Sequence, residues 1–471
     1  MAPLYIAAAH KSSGKTSVSL GLTAALVERG HVVQTFKKGP DYIDPLWLTR
    51  ASGRPCYNLD FFTQTHKEIV NTVACHLDET STGLIEGNKG LFDGIDVEGS
   101  DSNAALATML GTPVVLVIDS GGITRGIAPL IHGYLDFDPT VNICGVILNK
   151  VGGARHESKL RAALERYTDA EILGAIGRDR ALEIPERHLG LVPANEASGS
   201  TAADTMITRL GDAVSNGVNL DRIIEITKAS RLQTRLNETL SRSKLPSGKS
   251  KTDVKIAIAR DAAFGFYYPD DLEAFERAGA ELIPFDTLND AHLPEADGLF
   301  IGGGFPETHL QALSANQSLR EEIRRLLTAG MPAYAECGGL MYLCRQIQWQ
   351  GDSGRMVGVV PADVVVGRRP QGRGYMLIKE TGNSHWPPAP DACDTDTKGV
   401  PAHEFHYARL ESLEENPVFA HHVLRGTGID GKSDGLIVGN LLAGFAHHRQ
   451  TLANPWVDRF VAFVRKAKFG I

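Results

Sequence analysis

The apolar residues of the N-terminal half fall into short continuous runs that alternate with longer amphipathic stretches. Residues 113–119 and 143–149 are mostly β-branched or aliphatic, and residues 4–9 are apolar throughout. Runs of this kind predict strands buried on both faces, which are typical of a parallel sheet, and the stretches between them predict helices. Further elements are predicted as strands at residues 172–176 and 189–192 and as a helix at residues 220–226.

The C-terminal half repeats this alternation after a polar break. Residues 235–252 are rich in Ser and Lys and include a proline and a glycine, so they predict a linker. A new apolar run at residues 254–259 predicts the first strand of a second α/β unit. We therefore expect two doubly wound parallel-sheet α/β domains, one at residues 1–234 and the other at residues 253–471.

Composition places the chain among ordinary globular proteins and argues against some partners. The 471 residues are 42% hydrophobic and 22% charged, and the formal net charge of −8 suits nucleic acid poorly. The longest apolar runs are too short to cross a bilayer, and the N-terminus has no signal-peptide pattern. Six scattered cysteines without metal-binding spacing favour free thiols in a reducing compartment. We expect a cytoplasmic protein with neither nucleic acid nor membrane as partner.

A phosphate-binding loop is predicted directly after the first strand. Residues 10–17 have the sequence HKSSGKTS and precede an amphipathic stretch that stops at Gly30. In such loops the amides surround phosphates, the lysine reaches the outer phosphates and the threonine hydroxyl meets magnesium. Ala9 replaces the first glycine of the pattern, and a chance Gly-Lys-Thr is the alternative. Lys11 is either a second phosphate lysine or a solvated loop residue. The candidate ATP-binding residues are Ser12, Ser13, Gly14, Lys15, Thr16 and Ser17.

Several acids follow predicted strands of the same half. Asp41 and Asp44 lie three residues apart in a loop bounded by glycine and proline, so they can point at one site. Glu86 ends a short apolar run, and Asp93 lies in the next loop. Acids at the carboxyl ends of parallel strands meet at one edge of a sheet, where they can hold magnesium and the group that receives phosphate. An Asp-rich turn without chemistry is the alternative for the first pair.

A cysteine marks a predicted strand-to-helix turn in the C-terminal half. Residues 335–339 have the sequence AECGG and lie between an apolar run at residues 331–334 and a helical stretch from Leu340. The glycines permit a tight bend, and helix amides that face the sulfur of Cys337 would favour the attacking thiolate. The alternative is a buried cysteine that serves as a small hydrophobic residue.

Two further features complete a candidate site for Cys337. A strand at residues 299–301 ends in the glycine cluster 302–304, whose amides can bind a developing oxyanion, although a glycine-rich turn without a role is the alternative. Late in the chain, His447 and His448 follow Gly-Phe-Ala. A histidine in this place can take the proton of Cys337.

Taken in order, the glycine cluster, the cysteine turn and the late histidine resemble a class I, triad-type glutamine amidotransferase domain. The P-loop half is similar to the dethiobiotin synthetase-like ATPases. With residues 38–45, 302–307 and 403–407 added, the chain resembles the cobyrinic acid a,c-diamide synthase family from Leu4 to about Pro455. The resemblance implies an ATP- and glutamine-dependent amide ligase that acts on a tetrapyrrole polycarboxylate.

The resemblance assigns the amidotransferase roles to three places. It implies that Cys337 attacks the glutamine carboxamide, that the amides of Gly303 and Gly304 stabilise the oxyanion, and that His447 acts as base and then as acid. The ammonia that leaves is expected to travel through a closed path between the domains, because an acyl phosphate hydrolyses in water.

The resemblance also assigns the ligase roles. ATP would phosphorylate a peripheral acetate of the tetrapyrrole, and ammonia would displace the phosphate. Lys15 and Thr16 would contact phosphate and magnesium. Asp41 and Glu86 would complete the metal site with Thr16. The residues expected to organise the substrate carboxylate are Tyr42, Asp44 and Asp93, and Asp44 is counted as catalytic as well.

Three departures from the family pattern qualify this interpretation. Ala9 is the first. Arg449 stands two residues after His447, where the triad has a glutamate, so a dyad must suffice with other groups to orient the histidine. Adjacent His448 leaves the register of the base open, and we favour His447. The third is the lysine enrichment at residues 36–38 and 86–90, which exceeds what we expect for an enzyme that acts on cobyrinate. Extra cationic side chains suit a different polycarboxylate.

Several functions therefore stay open at this point. Cobyrinate or hydrogenobyrinate is the leading substrate, and sirohaem is the alternative within the same chemistry. A P-loop switch protein with a degenerate amidotransferase module is an alternative of another class, and a ligase that uses free ammonia is a third. A homodimer is left open.

Overall fold

The computed structural model describes residues 3–78, 80–187, 190–196, 200–229, 252–388 and 399–470. These residues form two compact units. The first takes the described residues of Met1–Phe61 and Thr65–Leu245, and the second takes those of Phe62–Gln64 and Pro246–Ile471. The predicted linker lies outside the described residues except for Thr252.

The first unit is built on a parallel sheet, as the buried runs predict. Its seven strands have the order β3-β2-β4-β1-β5-β6-β7. Val115 and Val117 of one strand pack into one core, and Leu116 and Ile118 of the same strand pack into the other, so both faces of the sheet are covered. The strands are β1 Leu4–Ala8, β2 Val33–Lys38, β3 Tyr57–Leu59, β4 Thr82–Glu86, β5 Val114–Asp119, β6 Ile143–Val151 and β7 Ile172–Gly177.

Helices cover this sheet, and small residues let two of them pack closely. They are α1 Lys15–Glu28, α2 Ile43–Ser52, α3 His66–His76, α4 Asn103–Leu110, α5 Ile127–Phe137, α6 Ala154–Tyr167, α7 Ser200–Gly217 and α8 Leu220–Ala229. A Cβ on Gly21 of α1 would lie 2.6 Å from the Leu210 carbonyl oxygen of α7, so a larger residue would force the two helices apart. Helix α8 confirms the helix predicted at residues 220–226.

The strand predicted at residues 189–192 is wrong in place and extent. Only Gly190–Leu191 form a strand, β9, which pairs with β8 at Glu186–Arg187 and lies outside the main sheet. The free edge of β7 is taken instead by the chain that enters α8: Gly174 bridges Val218, and the Asn219 amide donates to the Leu173 carbonyl at 2.8 Å. Leu189 lies outside the described residues.

The second unit has a nine-stranded sheet of order β12-β10-β13-β15-β24-β23-β22-β19-β20. The first five strands are parallel, as predicted, and the last four are antiparallel, which the sequence patterns did not indicate. Strands in an antiparallel set can leave one face to solvent, so they lack the continuous apolar runs that mark parallel ones. The strands are β10 Val254–Ala259, β12 Ala280–Phe285, β13 Gly298–Ile301, β15 Ala333–Glu336, β19 Gly372–Glu380, β20 Val400–His406, β22 Val418–Arg425, β23 Ser433–Val438 and β24 Leu441–Gly444.

Smaller sheets and several helices complete the described part of the second unit. The pair β11 Phe264–Phe266 and β14 Gly303–Gly304 forms one small sheet, and β16 Gln346–Trp349, β17 Asp352–Arg355, β18 Asp363–Val366 and β21 Ala408–Glu411 form another. The helices are α9 Pro269–Arg277, α10 Leu310–Ala315, α11 Gln317–Thr328, α12 Gly338–Leu343 and α13 Trp456–Phe469. Within the described ranges, none of the chain's helices has the length and hydropathy that crossing a bilayer requires.

Candidate functional site

The predicted phosphate loop connects β1 to α1 and is held in one shape by its neighbours. Ser12 and Gly14 adopt left-handed backbone conformations, with φ of 66° and 88°. A Cβ on Gly14 would lie 2.1 Å from the side-chain nitrogen of Asn149, so only glycine fits there. Buried Ser13 donates to the His10 carbonyl at 2.8 Å, and Asn149 donates to the Ser13 carbonyl at 2.9 Å. The loop is therefore preorganised.

Ala9 does not impair this loop. It is buried at the end of β1, and its φ is not in the left-handed region that would require glycine. Its amide donates to the Val117 carbonyl at 3.3 Å, and its carbonyl accepts from the Tyr134 hydroxyl. The missing first glycine of the pattern is therefore tolerated because the backbone at this position is ordinary.

The lysine and threonine of the loop begin α1. The Lys15 ammonium donates to the Lys89 carbonyl at 2.5 Å, and burial together with nearby Lys37 lowers the pKa of Lys15 to about 8. Thr16 donates to Glu86 Oε1 at 2.7 Å and to Asp44 Oδ2 at 3.3 Å. The hydroxyl predicted to meet magnesium thus already contacts two of the predicted acids.

These acids gather around the ammonium of Lys37, a residue that the sequence analysis did not place in the site. Its Nζ lies 2.5 Å from Asp44 Oδ2, 2.9 Å from Glu86 Oε1 and 3.7 Å from Asp41 Oδ2, and its side chain is only 3% exposed. Burial opposes the charge of Lys37, yet Asp44 and Glu86 hold its pKa well above the usual value. The lysine enrichment at residues 36–38 is the signal in the sequence that points to this residue.

Burial and mutual repulsion act on the acids themselves. Burial and the Asp44 carboxylate raise the pKa of Asp41 to about 7. Burial also raises the pKa of Glu86, whereas for Asp44 the effect of burial is outweighed by Lys37, and the pKa falls. A cluster that carries three carboxylates against one enclosed ammonium is short of positive charge.

Asp41 and Asp44 do not share a loop, although they do point at one site. Asp44 lies in the first turn of α2, and Asp41 caps that helix by accepting from the Ile43 and Asp44 amides at 2.9 and 3.2 Å. Tyr42 lies at the start of the same helix and is nearly buried. Asp93 is exposed and accepts from the Gly90 amide at 2.9 Å, so the structure places it in the loop after β4 without a bond to the cluster.

The donor set fits a magnesium ion. Glu86 Oε2 is buried and has no hydrogen-bond partner among the described residues, so one carboxylate oxygen is available. Oxygen ligands from one or two carboxylates, with phosphate and water, are what magnesium takes in nucleotide sites. In the described ranges no three His, Cys, Asp or Glu side chains form a ready metal cage.

A cavity of about 380 Å³ opens beside the phosphate loop. Gly14 and Ser17 line it on the loop side, and Asp119, Asn149 and Arg178 line it at the ends of neighbouring strands. Its volume lies in the range of small-molecule sites. The sequence analysis assigned no role to the last three residues; their only signal was that each closes or follows a predicted parallel strand.

In the second unit, Cys337 occupies a strained turn between β15 and α12. Its φ of 48° and ψ of −101° are rare for a residue other than glycine. Its amide donates to the Gly444 carbonyl at 2.7 Å, which ties the turn to the neighbouring strand. A Cβ would lie 2.8 Å from the Gly304 carbonyl oxygen if added to Gly338, and 2.2 Å from the Ile301 carbonyl oxygen if added to Gly339. Both glycines are required by close backbone packing.

The bend alone does not favour the thiolate, so that expectation is wrong. Cys337 is 7% exposed, and burial with the nearby Glu307 carboxylate raises the pKa of its thiol above the ordinary value, although the Gly338 amide acts in the opposite direction. The thiol is protonated at neutral pH and needs a base before it can attack.

The glycine cluster and His447 lie at this turn. Gly304 adjoins Gly338, and a Cβ on Gly303 would lie 2.7 Å from His447 Cε1. The His447 backbone exchanges hydrogen bonds with His403 at 2.8 and 3.3 Å, and the two rings stack at 4.8 Å. The structure thus brings Gly303, Gly304, the cysteine turn and His447 together.

His448 is held elsewhere. Its Nδ1 accepts from the Asn454 side-chain amide at 3.0 Å, and its ring borders Tyr334 and His421. Burial and nearby His421 keep the pKa of His448 well below its usual value. These contacts favour His447 over His448 as the base.

Arg449, at the position of the missing triad glutamate, is a buried structural cation. It is 1% exposed, bonds to Asp270 Oδ2 through Nη2 at 2.7 Å and stacks on the Tyr268 ring at 4.8 Å. The side chain is therefore engaged in an ion pair with Asp270 and in packing on Tyr268.

The Arg449→Met variant is expected to lower the free energy of unfolding by about 3 kcal/mol, because removal of one partner strands the Asp270 carboxylate. Urea unfolding followed by tryptophan fluorescence measures this. The exposed Arg409, which pairs with Glu411 at 2.6 Å, supplies the control, and Arg409→Met should cost less than about 1 kcal/mol. Equal unfolding midpoints for the two variants would contradict the assignment.

The two sites define the class of protein: a P-loop nucleotide-binding domain followed by a domain of the glutamine amidotransferase kind. Residues 4–192 match the family model of the CobQ/CobB/MinD/ParA nucleotide binding domain, and residues 255–454 match that of the CobB/CobQ-like glutamine amidotransferase domain. Full-length relatives are more specific. The cobyrinate a,c-diamide synthase of Magnetococcus marinus is 44% identical over 464 residues, with 98% of this chain and 97% of that protein covered.

Two archaeal relatives with the same name agree. That of Methanosarcina acetivorans is 40% identical over 473 residues and covers 94% of this chain and 91% of its own length. The protein of Archaeoglobus fulgidus is 37% identical over 467 residues, which cover 99% of this chain and 98% of that protein. The chain belongs to the cobyrinate a,c-diamide synthase family.

Proposed function

We propose that this protein amidates the a- and c-acetate carboxylates of cobyrinate or hydrogenobyrinate, with ATP and with ammonia released from glutamine. The observation that carries the proposal is that one chain holds both a preorganised phosphate loop facing buried carboxylates and a strained cysteine turn beside a histidine. The net charge of −8 and the free cysteines of the described residues support action in the cytoplasm on small molecules, without nucleic acid or membrane as partner.

The second unit would release ammonia. His447 takes the proton of the Cys337 thiol, and the sulfur attacks the side-chain carbonyl carbon of glutamine. The amides of Gly303 and Gly304 stabilise the oxyanion that forms. The protonated histidine then gives its proton to the departing nitrogen, which leaves as ammonia. Water, deprotonated by the same histidine, cleaves the thioester and yields glutamate.

The first unit would activate the carboxylate. The loop amides and Lys15 hold the phosphates of ATP, and Tyr42, Asp44 and Asp93 orient the substrate acetate. The carboxylate oxygen attacks the γ-phosphorus, ADP leaves, and ammonia then attacks the acyl carbon and expels phosphate. Thr16, Asp41 and Glu86 would hold Mg²⁺, whose charge compensates the phosphates. Lys37 holds the Asp44 and Glu86 carboxylates in place through ion pairs.

The names of the full-length relatives favour cobyrinate over sirohaem, and two of the extra lysines serve the protein itself. Lys37 is enclosed by carboxylates, and Lys38 is buried with its ammonium 3.3 Å from Asn88 Oδ1. Neither of these two ammonium groups is exposed toward a substrate, whereas Lys89 of the second lysine-rich segment is exposed.

Product mass tests this proposal. The protein is incubated with ATP, Mg²⁺ and glutamine, and with either cobyrinic acid or sirohaem in parallel. Each amidation replaces OH by NH2 and lowers the mass by about one unit, and each consumes one ATP through the acyl phosphate. We expect two amidations of cobyrinic acid. Amidation of sirohaem alone would overturn the substrate, and ATP hydrolysis without amidation of either would overturn the ligase function.

A further inference from the structure

Glu336, the residue before the cysteine, has a buried carboxylate whose two oxygens face different partners. It ends β15 and is 3% exposed. Its Oε1 accepts from the Tyr334 hydroxyl at 2.7 Å and from the His448 backbone amide at 3.0 Å. Its Oε2 lies 3.4 Å from His447 Nδ1. One oxygen is thus fixed by two donors, and the other adjoins the ring of the candidate base.

The fold sets this arrangement with little freedom. Strands β15 and β24 are parallel neighbours, and their register places Glu336 beside Gly444. The chain then continues from both strands at the same edge, to Cys337 on one side and to His447 on the other. Because the His448 amide binds the same carboxylate, the segment that carries the histidine is tied directly to Glu336.

We propose that Glu336 is the positioning residue of the amidotransferase site, which holds His447 with the proton on Nδ1 so that Nε2 takes the proton of Cys337. The inference rests on the proposed function of Cys337 and His447. Glu336 would then take the role of the triad acid, which in a triad lies two residues after the histidine. In this chain that position is occupied by Arg449, which is bonded to Asp270. A carboxylate beside Nδ1 also stabilises the imidazolium that forms after proton transfer.

Catalytic hydrogen bonds are commonly long in a free enzyme and tighten when substrate binds, so a separation of 3.4 Å suits this role. The protonation state of the Cys337 thiol is a second reason why His447 must be held in one tautomer. Because the Cys337 thiol is buried beside Glu307 and protonated, a histidine that carried its proton on Nε2 would be unable to activate it.

The Glu336→Gln variant tests the tautomer directly. A backbone amide only donates, so the glutamine must turn its carbonyl oxygen to the His448 amide and its NH2 group to His447 Nδ1. The histidine then carries its proton on Nε2, the wrong tautomer. We expect kcat for glutamine hydrolysis to fall about 10²-fold, the lower end of what general acid–base catalysis contributes, while KM for glutamine stays within about threefold.

Tyr334→Phe is the matched control. It removes one of the two donors to Oε1 but leaves the carboxylate and the His448 amide in place. We expect its kcat to stay within about fivefold of wild type, since the tautomer is unchanged. A merely structural role for Glu336 would instead raise KM for glutamine and affect both variants alike.

A third variant, Glu336→Asp, keeps the charge with a shorter reach. Its kcat should fall between those of wild type and Glu336→Gln, and equal losses would overturn the proposal because charge would not matter. Folding is checked by thermal unfolding and by amidation with ammonium salt in place of glutamine. If wild type hydrolyses glutamine and Glu336→Gln hydrolyses it equally fast, only the role of Glu336 fails. If wild type does not hydrolyse glutamine at all, the proposed function itself fails.

Discussion

The Cys337→Ala variant should lose amidation with glutamine by about 10⁶-fold, the loss seen when the nucleophile of a hydrolase is removed. With ammonium chloride in place of glutamine, the same variant should amidate cobyrinic acid at the wild-type rate. The sulfur is needed only to release ammonia, and the phosphate loop and carboxylate cluster of the first unit do not include it. Product mass and ADP release, measured with each nitrogen source, separate the two reactions.

Cys344 offers a matched control for this variant. It is fully buried in the second unit, at the C-terminal end of helix α12, which follows Cys337. Burial raises the pKa of its thiol as well. Its backbone has an ordinary negative φ of −69°, in contrast to the strained turn at Cys337. The Cys344→Ala variant should keep kcat with glutamine within about twofold and lose stability only, because it leaves a small cavity.

Three outcomes of this experiment would contradict the proposed mechanism. Persistent glutamine-dependent product in Cys337→Ala would remove the cysteine from the mechanism. A wild type that uses ammonium but never glutamine would be a ligase dependent on free ammonia. Failure with both nitrogen sources, with ATP still hydrolysed, would favour a P-loop switch with a degenerate second unit.

The Lys15→Ala variant should reduce amidation about 10³-fold with glutamine and with ammonium alike, because an ammonium held against the transferring phosphoryl group contributes about that much. Lys15 is nearly buried at the start of α1, and burial lowers its pKa to about 8, so the ammonium form still predominates at neutral pH. Bound phosphate would favour that charged form further. ADP release and product mass measure the loss.

Lys11 is the control for this variant. It lies in the same loop, but it is exposed and outside the helix that Lys15 begins. Lys11→Ala should keep the rate of amidation within about threefold, since an exposed charge is screened by solvent. A loss as large as that of Lys15→Ala would show that Lys11 is a second phosphate lysine. Glutamine hydrolysis by Lys15→Ala, assayed without ATP, should remain, which would contrast with Cys337→Ala.

The sequence by itself determined those parts of the structure that depend on residues close together along the chain. Continuous apolar runs such as residues 113–119 mark buried strands because both faces of a parallel strand lose contact with water. The order of strand, loop, Gly-Lys-Thr and helix predicts the phosphate loop, and the glycine permits the left-handed backbone conformation that Gly14 adopts. The Gly-Gly after Cys337 predicts a tight turn, because glycine permits a sharp bend of the backbone.

Tertiary structure alone decided how distant residues meet and how charged they are. Lys37 became the centre of the acidic cluster only when β2, α2 and β4 came together, and the pKa of Asp41 rises because packing removes water from it. The pattern after His447 revealed that the usual glutamate is absent, but only the pairing of β15 with β24 put Glu336 beside the ring. Contacts across strands and desolvation have no signature in local spacing, because both arise from segments that the chain brings together when it folds.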